Sequence, residues 1–159
     1  MTTVTQKQIK LSVSRVIDAP RAELFLAWLD PEFRKRWWLN DKNEGPISVE
    51  IDGRTGGTYR ITQTHDSCDH DEPDGYVWII EGEFLEVTPN DRIVFTWNVN
   101  HTSEPVRDQR VTVDFEDAPN GTKVTITHEG MMSESIASGT EQGWGGMLEN
   151  LEKAIGAAR

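Results

Sequence analysis

From residue 48 to residue 129 the chain is written largely in period two. Six short runs, 48–51, 57–64, 76–87, 92–99, 107–116 and 123–129, carry β-branched, aromatic or aliphatic side chains at alternating positions, and each gap between them holds glycine, proline, asparagine or aspartate. Such runs are strands with one face on a core and the other in water. Their short connections, with Pro119-Asn120-Gly121 the strongest hairpin signal, make neighbours antiparallel. A sheet with one apolar face needs a cover. After the last strand the period changes to that of a helix, with Trp144, Met147, Leu148, Leu151 and Ile155 on one stripe opposite Glu149, Glu152 and Lys153. Gly139, Gly143, Gly145 and Gly146 weaken this pattern, which predicts a break near Gly139 and a well-formed helix over 140–157.

The N-terminal part completes the order. Residues 8–17 alternate Ile9, Leu11 and Val13 with Lys10, Ser12 and Ser14, the pattern of another half-buried strand. Asp18-Ala19-Pro20 opens a short helix with Glu23 in its first turn and Ala22, Phe25, Leu26 and Leu29 on one face. Asp30-Pro31-Glu32 starts a second, ending near Trp37-Trp38. The sum is an α+β chain, a single domain over 1–159. Its curved antiparallel sheet of about seven strands wraps a long C-terminal helix, with two short helices after the first strand. Where the short helices hold the sheet away from the long one, a hollow opens.

Charge narrows the partners. Sixteen basic against twenty-seven acidic residues leave a net charge of −11, so the mean field repels phosphate, and Arg34-Lys35-Arg36 is the largest basic cluster. Nucleic acid and membrane surfaces are therefore not expected as partners. The first residues contain no apolar segment of the secretory kind and the apolar run 76–80 is too short to span a bilayer, so a soluble cytoplasmic protein, monomeric or weakly dimeric, is expected. Cys68 is the one cysteine, which forbids an intrachain disulfide.

Residues 64–75, Thr-His-Asp-Ser-Cys-Asp-His-Asp-Glu-Pro-Asp-Gly, resemble a metal site at first sight. Zinc sites recur with spacings such as Cys-x-x-Cys, whereas His65, Cys68 and His70 stand as His-x-x-Cys-x-His in one loop. A calcium loop begun at Asp69 puts Asp74 where the turning glycine belongs and Ile80 where a bidentate glutamate belongs. The stretch is read as an acidic hairpin tip, with no metal and no cofactor. His128-Glu129 lacks the second histidine of a zincin helix, because Met132 stands there. Gly143-Trp144-Gly145 is no dinucleotide fingerprint, and no nucleophile elbow or phosphate loop is present. No catalytic residue is assigned.

What remains is a pocket. If Val124 and Ile126 face inward, His128 does too, and Tyr59 with Ile61, Phe95 with Trp97, and Val113 with Phe115 supply further inward pairs. The strand from Tyr76 is apolar on both faces, and Trp78 is taken as inward. Trp144, Met147 and Leu148 form the opposing helix face, with Trp37 and Trp38 at the mouth. His128 and Arg15 are the expected polar contacts to a ligand, Arg15 otherwise pairing with Glu129 or Glu141.

Seven segments carry a family resemblance, in the right order and over nearly the whole chain. They are Ser14-Arg15-Val16-Ile17-Asp18-Ala19-Pro20; Ala27-Trp28-Leu29-Asp30-Pro31-Glu32 with Trp37-Trp38; Gly56-Gly57-Thr58-Tyr59-Arg60; Gly82-Glu83-Phe84-Leu85-Glu86-Val87 with Pro89; Asp91-Arg92-Ile93-Val94-Phe95-Thr96-Trp97; Gly121-Thr122-Lys123-Val124-Thr125-Ile126; and Gly143-Trp144 with Leu148 and Leu151. The chain resembles the activator homologs of the 90-kDa heat-shock-protein ATPase, within the START-like, birch-pollen-allergen-like (SRPBCC) helix-grip superfamily. The resemblance implies the helix-grip fold and a choice among functions: binding of a small, largely hydrophobic ligand such as a lipid, a co-chaperone role on a heat-shock chaperone in the stress response, or a polyketide cyclase or hydrolase reaction. The enzymatic alternative would use His128 with Glu129 or Glu141 as acid and base. Binding without catalysis is the leading expectation.

Overall fold

The computed structural model describes residues 9–38, 47–65, 76–100, 106–131 and 134–157. Strands β1 (Ile9–Ile17), β2 (Ile47–Ile51), β3 (Thr58–His65), β4 (Tyr76–Thr88), β5 (Arg92–Val99), β6 (Val106–Ala118) and β7 (Gly121–Met131) form one sheet. Its order is β1-β7-β6-β5-β4-β3-β2, antiparallel at every pairing. Since β1 and β2 are opposite edges, the helices between them, α1 (Arg21–Leu29) and α2 (Pro31–Trp38), carry the chain across the sheet. Helix α3 (Glu134–Ala157) packs on β1, β7 and α2 and closes the inner face. This is the α+β helix-grip arrangement.

Alternation decides which residues are inside. On β7 Val124, Ile126 and His128 are buried, as are Val111, Val113 and Phe115 on β6 and Ile93 and Phe95 on β5. Register irregularities between Phe84 and Glu86 and between Trp97 and Val99 break the ladders of β4 and β5, and bulges of this kind sharpen the bend of a sheet. At the β6–β7 hairpin Gly121 has φ 138° and a Cβ there would lie 2.1 Å from the Ile17 carbonyl oxygen. Only glycine lets β7 begin so close to the end of β1. Thr122 secures the corner by donating to the Ala19 carbonyl at 2.7 Å.

The short helices meet at a tight corner. Asp30 receives the Glu32 N–H on its carboxylate at 3.0 Å, capping α2, and Pro31 takes the first helical position where no N–H is needed. The break expected near Gly139 is absent. Helix α3 runs unbroken from Glu134, because its first turns dock through Ala137 and half-buried Ile136 in line with Trp144, Leu148, Leu151 and Ile155. Burial of that stripe outweighs the glycine penalty. No helix among the described residues is long and apolar enough to cross a membrane.

Candidate functional site

The corner between α1 and α2 sets Trp28 edge-on against Trp37, with ring centroids 4.7 Å apart. From that pair aromatic contacts run on into the sheet and α3. Trp28 reaches Phe95 and Trp144, Trp38 reaches Trp97 and Trp144, and Trp97 lies 5.2 Å from Trp144 and 5.7 Å from His128. Tyr59 and Phe84 join through Phe95. The cluster thus draws on α1, α2, three strands on one side of the sheet, β7 and α3, which converge only in the folded chain.

Two donors from α2 hold the C-terminal end of α1. Trp37 Nε1 donates to the Ala27 carbonyl and Arg34 Nη1 to the Trp28 carbonyl, each at 2.9 Å, satisfying acceptors that a helix end leaves open. Arg34 is 3% exposed, with its guanidinium carbon 4.9, 5.1 and 4.5 Å from the ring centroids of Trp28, Trp37 and Trp38. Its Nε and Nη2, and Trp28 Nε1, are buried without a hydrogen-bond partner among the described residues. Burial pushes the Arg34 pKa down to about 9, partly offset by Tyr59, so the group remains a cation at neutral pH. Tyr59 donates its hydroxyl to the Thr96 carbonyl at 2.6 Å, and burial raises its pKa.

His128 is fully engaged within the protein. Its Nδ1 accepts the Trp144 indole N–H at 2.9 Å, so the ring carries its proton on Nε2 and gives it to Gln109 Oε1 at 2.6 Å. Burial lowers its pKa to about 4. The imidazole is a neutral bracket between β6, β7 and α3, with neither nitrogen left for a ligand or for an acid–base pair with Glu129 or Glu141. Period two turns Glu129 to the other face of β7, and Glu141 is exposed on α3. Arg15 does sit on the inner-face parity, opposite Val124, but its guanidinium reaches Glu152 on α3, Nη2 at 2.8 Å and Nε at 3.2 Å, instead of Glu129 or Glu141.

Residues 18–156 match the family described as Activator of Hsp90 ATPase homolog 1-like protein. The chain belongs to that family. Solved structures agree on the fold. A protein from Chromobacterium violaceum is 24% identical with a TM-score of 0.76, covering 91% of this chain and 94% of its own. One from Rhizobium leguminosarum has the same identity and score, over 95% and 96%. The AHSA1-like protein from Aeromonas hydrophila, solved in solution, gives 24% and 0.71 over 94% of both chains. No curated protein sequence matches.

Within this family fold, Trp38, Phe95, Trp97, His128 and Trp144 come together as the sequence implies. Ile61 and Leu148 are sealed in the core, and Phe115 lies elsewhere, against Phe25 of α1 at 5.9 Å. Trp78 shares the inner face with Ile80 and, like Trp97 and Met147, is half-buried. Trp37 and Trp38, expected at the mouth, are both buried. Sequence reasoning missed Arg34, which it counted only as part of the largest basic cluster, and Gln109. A usable signal existed for Arg34, three residues before Trp37 and four before Trp38 and so on their helix face. Cys68 and His70 lie outside the described residues, and among the described ones no group of three His, Cys, Asp or Glu is placed to hold a metal. The outer face of β2–β5 carries an open concavity of about 690 Å³ edged by Glu50, Asp52 and Glu83, where Arg60 is already paired with Glu81 at 3.0 Å.

Proposed function

We propose that this protein binds a small, largely apolar molecule against the aromatic cluster between the sheet and α3, without transforming it. Trp97 carries this reading: it points inward and touches four aromatic rings, yet it is only half-buried, leaving apolar surface to cover. Aromatic walls with few polar groups are the usual lining of small-molecule sites, and each Å² of apolar area covered contributes about 25 cal/mol. The neutral bicyclic probe 2-naphthamide should produce a saturable change in tryptophan emission. Trp97→Ala should weaken its binding by roughly tenfold, the size of one aromatic contact. Absence of saturable binding to the unaltered protein sinks the reading. Family membership and the charge of −11 favour a second one, an interaction module whose acidic surface meets a basic patch on a heat-shock chaperone, tested by the chaperone's ATPase rate with and without the protein.

A further inference from the structure

The tip of the β6–β7 hairpin carries chemistry that ligand binding does not use. Asparagine is a thermolabile side chain, and Asn120-Gly121 is the one asparagine–glycine pair among the seven asparagines of the sequence. Asn120 is exposed, and its side chain makes no hydrogen bond with the described residues. The other described asparagines are held or crowded. Both amide atoms of Asn98 and of Asn100 are bonded to backbone groups of neighbouring strands. Asn90 and Asn150 are half-buried and precede Asp91 and Leu151, whose side chains crowd the amide nitrogen that follows. Gly121 has no side chain beside its nitrogen, and it faces Ala118 as the last pair of the β6–β7 ladder, where local opening costs least.

We propose that Asn120 is a site of spontaneous deamidation and that its isoaspartate product loosens the corner where β7 meets β1. The Gly121 amide nitrogen attacks Asn120 Cγ. A bond forms between them, the Cγ–Nδ2 bond breaks, and the side-chain nitrogen leaves as ammonia with the proton that Gly121 gives up. Water then opens the cyclic imide. Hydrolysis at Cγ gives aspartate with the backbone unchanged, whereas hydrolysis at the Asn120 main-chain carbonyl gives isoaspartate, whose backbone is longer by one methylene carbon. Either product adds a carboxylate to a chain of net charge −11, but only isoaspartate changes the path of the chain. The corner has no slack for it. A Cβ at Gly121 would lie 2.1 Å from the Ile17 carbonyl oxygen and 2.8 Å from Asp18 Cα, and buried Thr122 donates to the Ala19 carbonyl at 2.7 Å. A longer link from Asn120 therefore presses Gly121 against the end of β1 or draws Thr122 away from Ala19.

Incubation of the purified protein in mildly alkaline buffer, which removes the Gly121 amide proton more readily, followed by peptide mapping with mass spectrometry tests the site. Asn120 should convert several-fold faster than any other asparagine and yield both aspartate and isoaspartate, the latter counted by methylation with protein isoaspartate methyltransferase. Asn120→Gln should lose the reaction at this position, because the longer side chain closes a larger ring more slowly. Asn120→Asp reproduces the aspartate product without lengthening the backbone and should melt with the unaltered protein. The isoaspartate form, separated by anion exchange, should melt lower by about 1 to 6 °C, the loss of one buried hydrogen bond in a chain of this size. Faster conversion at another asparagine, or none at Asn120, overturns the site. An isoaspartate form that melts together with Asn120→Asp overturns the coupling to β1.

Discussion

At the scale of single residues, His128 has the plainest consequence in solution. Its neutral ring accepts from Trp144 and donates to Gln109, and a second proton on Nδ1 would set two donors against each other in a buried place. The pKa falls from 6.5 to about 4 on folding, so between those values the unfolded chain binds the additional proton. The stability His128 contributes is therefore full above pH 6.5 and is lost as pH falls through 4. The loss should be on the order of 3 kcal/mol, or about 6 to 12 °C in melting temperature for a chain of this size. Thermal melts of the unaltered protein and His128→Gln from pH 7 to 4 check this. The variant should start lower and fall less; an unchanged slope would assign the titration to another group. Parity along β7 made the inward direction of His128 legible in the sequence. Its partners were not legible, because Gln109 and Trp144 are 19 and 16 residues away and meet it only through sheet pairing and helix docking. Arg34 was hidden for a different reason: a run of three basic residues looks like solvated surface until the Asp30-Pro31 corner folds Trp28 back over it.

At the scale of elements, local pattern specified most of what forms. Alternation and hairpin chemistry located every strand to within a few residues, since one-face burial enforces period two and the connections are short. The first turns of α3 escaped because glycine lowers intrinsic helix propensity while docking, invisible locally, compensates for it. That balance can be tested. A Cβ added at Gly139 or at Gly143 would meet nothing within 4 Å, so these glycines serve no close contact and only weaken the helix. Gly139→Ala and Gly143→Ala should each stabilise the protein by about 0.5 to 1 kcal/mol, raising the melting temperature by about 1 to 4 °C. An unchanged melt for Gly139→Ala, beside a raised one for Gly143→Ala, would place the start of the stable helix after residue 139, where the sequence pattern put it.

For the whole molecule, shape and charge point to different faces. The inner face of the sheet is apolar and closed by α3, so it suits a small guest. The outer face carries carboxylates such as Glu50, Asp52 and Glu83. Among the described residues Arg15, Arg21, Lys35, Arg54, Arg60 and Arg92 are engaged with carboxylates, and Arg34 is buried. Much of the positive charge is thereby spent locally, and the net −11 is carried outward as unbalanced acid. Such a surface steers toward a basic partner mainly by raising the association rate, and salt weakens it within a Debye length of about 8 Å. If the family's co-chaperone description extends to this chain, its addition should raise the ATPase rate of a 90-kDa heat-shock chaperone at low salt, and the concentration needed for half the effect should climb several-fold between about 50 and 200 mM salt. No stimulation at either salt concentration would remove the chaperone from the account, and a salt-independent effect would move the contact from the acidic surface to an apolar one.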